Sequence, residues 1–199
     1  PEAIDYAEAL TGFVDSLNIE IDILVGHSLG ALIAGSFAAH FNRISLGLVL
    51  ANPASGHSQL PEKKRLEKLR TRLSNIAKIG PENYAKERSS ALVSKNASEE
   101  ALDLVRLNMS RLRIGGHAQA AHMLSSGDLF NDARLFSGHV LVLCGSKDTV
   151  TPEDGAQRIA AIYPNGRYQS LPDVGHASYI EDPDLFNRAV IGFADELKA

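Results

Sequence analysis

The sequence predicts an α/β fold: a mostly parallel β-sheet flanked by helices and interrupted by a helical insertion. Three observations carry that expectation. Short apolar runs of strand length, at 21–25, 46–51 and 140–144, alternate with segments of helical period. The runs are continuously apolar rather than alternating, the pattern of parallel strands covered on both faces. Between about 57 and 126 the alternation stops, and helical patterns follow one another with no convincing strand among them.

Each element can be justified in turn. From Pro1 to Leu17 the residues Ile4, Ala7, Leu10, Phe13, Val14 and Leu17 recur at helical spacing, while Glu2, Asp5, Glu8 and Asp15 take the opposite face. Asn18 ends that helix. Ile21–Val25 reads as a buried strand, Leu29–Phe41 as a helix rich in small residues, and Leu46–Ala51 as a second strand. Four helical patterns fill 57–126, with Pro61 and Pro81 at helix starts, where a missing amide hydrogen costs nothing. In PEKKRLEKLRTRL the residues Leu66, Leu69 and Leu73 make a narrow apolar stripe on a charged helix, the form of a lid. Lys63, Lys64, Arg65 and Lys68 read as its solvated face. Alternation resumes with strand Val140–Cys144, the loop GSKDTVTP, helix Glu153–Ile162, strand Arg167–Leu171, the loop LPDVGHASY and a closing helix Asp184–Leu197. Residues 1–56 and 127–199 thus form one sheet domain, and 57–126 its insertion.

A chain of 199 residues, 44% hydrophobic and 22% charged, supports one globular domain without disulfide or metal support. The net charge of −4, with basic residues dispersed outside EKKRLEKLR, argues against a nucleic-acid partner. The single cysteine, Cys144, lies in the apolar run HVLVLCG and reads as a buried thiol in a reducing compartment. No run approaches the ~20 apolar residues that span a bilayer, and no secretory signal opens the chain, so a cytoplasmic protein with no membrane partner is expected. The histidines and carboxylates show none of the close ligand spacings of metal sites, and no cofactor is expected.

The chemistry centres on GHSLG, residues 26–30, between the first strand and the second helix. Gly-x-Ser-x-Gly arises by chance in about 7% of chains this long, so the pentapeptide alone decides little. Its position adds weight. A sharp strand-to-helix turn needs small neighbours, which Gly26 and Gly30 supply, and it lifts the Ser28 hydroxyl above the sheet and aims free helix amides at it. The lysine and Ser/Thr of a phosphate-binding P-loop are absent. A serine hydroxyl is a weak nucleophile at neutral pH and needs a base.

GHSLG, then VLVLCGSKDTVTP, then LPDVGHASYIEDPDLF resembles the nucleophile elbow, acid loop and histidine loop of the α/β-hydrolase superfamily, in the chain order Ser, Asp, His. The resemblance covers nearly the whole chain. It implies an α/β-hydrolase fold with a helical cap over 57–126, Ser28 as nucleophile, Asp148 as acid, His176 as base and the Leu29 backbone N–H as an oxyanion donor. Asp154, at a helix start, and Asp173, three residues before His176, are the competing acids; His27, adjoining the nucleophile, should point away from it. Aspartate stands at the Ser28 position in haloalkane dehalogenases, which are therefore disfavoured.

The segment GGHAQAAHMLSSGDLFNDARLFSGHVLVLCGSKDTVTP resembles that leading from cap to acid in 3-oxoadipate enol-lactonases and cofactor-free haloperoxidase-like esterases. It implies a small ester or lactone as substrate, cleaved through an acyl-enzyme, with His117, His122 and Met123 as pocket candidates. A C–C bond hydrolase of aromatic catabolism and a non-catalytic ligand-binding module are the alternatives on the same fold, and a scaffold acting through the basic Lys63–Arg72 helix is a third. Members of the superfamily carry some sixty to eighty residues before the elbow helix, including strands and a loop that gives a second oxyanion amide. The chain begins within or just before that helix, so the expectation is a sheet lacking its N-terminal strands, with the preceding segment as a partner and a homodimer left open.

Overall fold

The computed structural model describes residues 1–41 and 43–199. Four strands, β1 (Ile21–His27), β2 (Ile44–Ala51), β3 (His139–Gly145) and β4 (Asn165–Leu171), form one parallel sheet in the order β1-β2-β3-β4. Helices α1 (Ala3–Leu17), α2 (Gly30–Phe41), α7 (Glu153–Ile162) and α9 (Pro183–Lys198) cover it. Between β2 and β3 run α3 (Glu62–Arg88), a 3₁₀ turn (Ser89–Leu92), α4 (Glu99–Ser110), α5 (Ile114–Ser126) and the short α6 (Leu129–Ala133), and α8 (Ser178–Glu181) precedes α9.

The central strands are continuously apolar because both of their faces are buried. Leu48 and Leu50 of β2 and Val140 and Val142 of β3 pack with Ala31, Leu32 and Ala34 of α2 and Ile159 of α7. Their neighbours Val49, Ala51, Leu141 and Leu143 face the other way, onto Ala189 and Phe193 of α9. β1 differs from the expected strand covered on both sides. It pairs with β2 along one edge, no strand meets its other edge among the described residues, and Val25 is 43% exposed. On α1, likewise, Ala3, Ala7 and Val14 are buried while Phe13 is 58% exposed.

Local chemistry sets the element ends. Asn18 takes a left-handed conformation, φ 51°, and its amide donates back to the carbonyls of Asp15 and Val14, closing α1. The expected break before Pro81 is present: Gly80, at φ 74° and ψ 165°, leaves the helical region and divides α3 into two helical stretches. The structure adds two short helices to those the sequence predicts. α6 has only five residues and is announced by Asp128, whose carboxylate accepts from the Asn131 amide; α8 lies inside what reads as a loop. The two ends of the helical segment lie side by side. The His57 amide donates to Leu124 O at 2.9 Å, Ser58 to Gly127 O at 3.2 Å, and Leu129 to Ser55 O at 3.0 Å.

Gly26 and Gly30 differ in what they accommodate. A Cβ on Gly26 would lie 2.6 Å from Gly30 O and 2.7 Å from Ala34 Cβ, so the last turn of β1 touches α2 backbone to backbone; at Gly30 a Cβ would meet nothing within 4 Å. Gly26→Ala is therefore expected to cost about 1–3 kcal/mol through overpacking. Gly30→Ala should gain about 0.4–1 kcal/mol by restricting the unfolded chain. Urea denaturation midpoints of the two variants check both signs.

Candidate active site

Parallel strands direct their carboxyl ends to one edge of the sheet, and the polar residues gather in the crevice beyond that edge. Ser28 follows β1, Asn52 follows β2, Asp148 follows β3 and His176 follows β4. Ser28 has φ 53°, a region unfavourable to a side-chain-bearing residue. Its amide donates to Ala51 O at 2.9 Å, and its carbonyl accepts from Ala31 at 3.1 Å and Ala54 at 3.0 Å, so the strained turn is pinned on both sides. Its Oγ lies 2.8 Å from His176 Nε2.

His176 Nδ1 lies 2.8 Å from Asp148 Oδ2. A carboxylate oxygen only accepts, so Nδ1 carries the ring proton and Nε2 is left to accept from the Ser28 hydroxyl. Asp148 Oδ1 accepts from the amides of Val150 at 2.7 Å and Thr151 at 3.0 Å, and Oδ2 also from Asn52 Nδ2 at 2.8 Å. The Thr151 hydroxyl, 2.8 Å from Asp148 Oδ2 and 3.0 Å from Asn52 O, has one proton to share between them. Burial pushes the Asp148 carboxyl up. The hydrogen bond and charge of His176, with the Thr151 amide and Asn52, outweigh burial and hold it below the usual carboxylate range.

Three further residues hold this arrangement in place, of which Asn52 and Glu181 were not singled out in the sequence. Asn52 is fully buried, with φ 46°, and its side chain reaches Asp148 while its Oδ1 accepts from Ser178 Oγ at 2.8 Å. The sequence signal was an Asn-Pro pair ending a strand, since Asn tolerates left-handed backbone. Glu181 accepts from the Gly175 amide at 2.7 Å and the Ser94 amide at 2.9 Å, tying the His176 loop to the helical segment. His27 points away from Ser28, as expected, and its Nε2–H donates to the His176 carbonyl at 2.8 Å. Burial lowers His27 to about 4, so the ring is neutral.

The competing acids lie elsewhere. Asp154 pairs with Arg158 at 3.8 Å on the surface, and Asp173 with Lys147 at 3.6 Å. Among the described residues nothing accepts a hydrogen bond from the Leu29 amide, beside Ser28. Burial pushes the Cys144 thiol up to about 12, so it stays protonated. Among the described residues no three His, Cys, Asp or Glu side chains converge as a metal-binding group. Among them, too, no helix is long and apolar enough to cross a membrane.

A cavity of about 1030 Å³ opens onto Ser28, Leu29 and His176 and is roofed by α3, α4 and α5. Of the pocket candidates, His117 lines it; His122 and Met123 do not. On α5 the cavity face carries Gly116, His117, Ala120, Ala121 and Leu124, which turns His122 to solvent and Met123, 1% exposed, into the sheet core. Lys64 and Lys68, expected on a solvated face, border the cavity with Arg72 four residues further on.

A family model described as "Alpha/beta hydrolase family" matches residues 1–189. A Mycobacterium tuberculosis protein provisionally named a non-heme bromoperoxidase is 38% identical over 66 residues, 33% of this chain and 25% of that protein. The chain thus matches about a quarter of the length of that relative. A protein of Pseudomonas savastanoi pv. phaseolicola provisionally named a carbamate hydrolase is 27% identical over 94% of this chain and 73% of its own length. Among solved structures, a thermophilic esterase from Thermogutta terrifontis superposes with a TM-score of 0.88 at 22% identity, covering 100% of this chain and 74% of the esterase.

Two of the shifted groups, His27 and Asp148, lie beside the Ser28–His176 pair and bear on the pH profile. The folded value of His27, about 4, lies below its ordinary 6.5, so between these values the unfolded chain binds a proton that the folded one refuses. Stability is expected to be full above about 6.5 and to fall as pH drops toward 4. The Asp148 contribution, from a depressed carboxyl, is lost at still lower pH as that group protonates. His27→Asn should reduce the first slope, to which the lowered His57 and His117 also contribute, and keep the second, as read from urea midpoints across the acid range.

Proposed function

Because the chain belongs to the alpha/beta hydrolase family, we propose that it is a serine hydrolase cleaving a small carboxylic ester or lactone through an acyl-enzyme. The observation that carries this reading is the unbroken hydrogen-bonded line from Ser28 Oγ to His176 Nε2, at 2.8 Å, and from His176 Nδ1 to Asp148 Oδ2, at 2.8 Å. Those spacings are the ones a nucleophile, a base and an orienting acid require.

In the proposed cycle Ser28 Oγ attacks the substrate carbonyl carbon while its proton passes to His176 Nε2. Asp148, ionised and held by its ring of donors, fixes the Nδ1–H tautomer and stabilises the imidazolium. The Leu29 N–H faces the developing oxyanion, and one such donor is worth about 10²–10³ in rate. The carbon–oxygen bond then breaks, and His176 returns the proton to the departing alkoxide. Water, deprotonated by the same imidazole, releases the acid and restores Ser28. The helices of 57–126 act as a cap that shapes the acyl and alcohol subsites above Ser28, a role supported by the adjoining ends of that segment and by its contribution to the cavity.

Hydrolysis of short-chain 4-nitrophenyl esters by the purified protein tests the reading. Ser28→Ala, His176→Ala and Asp148→Asn are each expected to lower kcat by about 10⁴ or more while the protein stays folded. The triple variant should be little worse than the worst single, because the three act as one unit. Independent, additive losses, or turnover unchanged in Ser28→Ala, would remove the proposal.

A further inference from the structure

The cavity over Ser28 is far more basic than the protein around it. The chain as a whole has 24 acidic against 20 basic residues. Yet Lys64, Lys68, Arg72, Arg88, Arg111 and Arg113 border the cavity and Glu67 is its sole acidic residue, so the lining runs opposite to the molecule's net charge. Outside the cavity six of the fourteen Lys and Arg side chains are paired, among them Arg43 with Asp15 and Arg167 with Glu196, so it is the gathering of cations round one acid, rather than the lack of partners, that marks the cavity. Among the described residues none of the six cavity cations takes part in such a pair. Lys64, Lys68 and Arg72 also share one helical face, at intervals of four.

A second observation is independent of charge. His117 is only 7% exposed, lines the same cavity, and its Nε2 is buried with no hydrogen-bond partner. A buried polar nitrogen without a partner is costly, and a ligand atom placed in the cavity would satisfy it. The ring is fixed edge-on against Tyr84, with centroids 5.5 Å apart. Burial and the nearby Arg72 lower its pKa, so the neutral ring can carry its proton on Nε2. His57, lowered by burial and then by the charges of Lys68 and Arg72, lines the same cavity.

Resting on the serine-hydrolase reading, we propose that the ester or lactone cleaved here carries a free anionic group, a carboxylate or a phosphate, received by Lys68 and Arg72 with a hydrogen bond from His117 Nε2–H. The cations lie at an open mouth, where their desolvation cost is small. Their field concentrates anionic substrate and orients it, with the charged tail toward α3 and the ester toward Ser28. Specificity then resides in the cap helices, whereas bond cleavage resides at the sheet edge.

Three activated esters of similar length separate the outcomes: mono-4-nitrophenyl glutarate, its uncharged methyl ester, and 4-nitrophenyl 4-phosphonobutanoate. At low salt at least one anionic ester is expected to exceed the methyl ester in kcat/KM by about tenfold, with the margin shrinking as salt rises. Which anion leads decides between carboxylate and phosphate. The double variant Lys68→Gln/Arg72→Gln should bring the ratio near one, chiefly through KM, and His117→Ala should lower it. Lys63→Gln/Lys78→Gln, which removes the same charge from the same helix outside the cavity, should leave the ratio in place. A methyl ester used as well as both anions, or a ratio unmoved by the Lys68/Arg72 variant, overturns the anion site. Turnover of the methyl ester and its loss in Ser28→Ala report on the serine-hydrolase reading separately. If no ester is cleaved, calorimetric titration with glutarate and with inorganic phosphate still decides: binding that the Lys68/Arg72 variant weakens supports the site, and no binding of either anion removes it.

Discussion

A carboxylate buried beyond the ends of the central strands must be surrounded by donors, and the loops of this protein are arranged around that requirement at Asp148. Left alone, the charge would be too costly to keep; burial pushes toward the neutral acid. Two amides of its own loop, the Asn52 side chain and His176 reverse that tendency. Satisfying one buried charge therefore fixes the end of β2, the turn after β3 and the loop after β4 relative to one another. Asn52 is the link, because its side chain also accepts from Ser178 and so holds the start of α8.

The same economy appears at the base. His176 is oriented through its ring by Asp148 and through its backbone by His27 and Glu181, the last acting on the neighbouring Gly175 amide. Glu181 also holds Ser94, and the Ala177 amide donates to Leu92 O at 2.7 Å, so the loop that carries the imidazole is tied to the helical segment above it. A shift of that segment would be felt at His176. The cap proposed to choose the substrate and the loop proposed to move its proton are thus one mechanical unit, while Ser28 is fixed separately by the sheet and α2.

Much of this was legible in the sequence, for reasons specific to the elements concerned. Continuous apolar runs marked β2 and β3 because residues of α2 and α7 pack on one face of these strands and residues of α9 on the other. The order Ser28, Asp148, His176 was readable because each residue follows a strand in a short loop. The sequence could not show that β1 would stand at an edge with Val25 exposed, since an apolar run looks the same wherever it lies in a sheet. Phase within α5 was equally hidden: His117, His122 and Met123 are near neighbours in sequence but point to the cavity, the solvent and the core. Glu181 carries no motif and the Asn52-Pro53 pair marks only a turn; the roles of both come from contacts, 96 residues away along the chain for Asn52 and 87 for Glu181. The charged face of α3 is solvent-exposed, as its sequence implies, and only the fold shows that its Lys64, Lys68 and Arg72 also border the cavity above Ser28.

The central claim is that the Ser28 hydroxyl is activated by the line running through His176 to Asp148. The most direct measurement is intact mass before and after exposure to a fluorophosphonate, with the modified peptide sequenced. The account predicts one adduct, on Ser28, formed much more slowly in Asp148→Asn and absent in Ser28→Ala. An adduct that persists in Ser28→Ala, or a Ser28 that reacts no faster than the other serines of the folded protein, would contradict it.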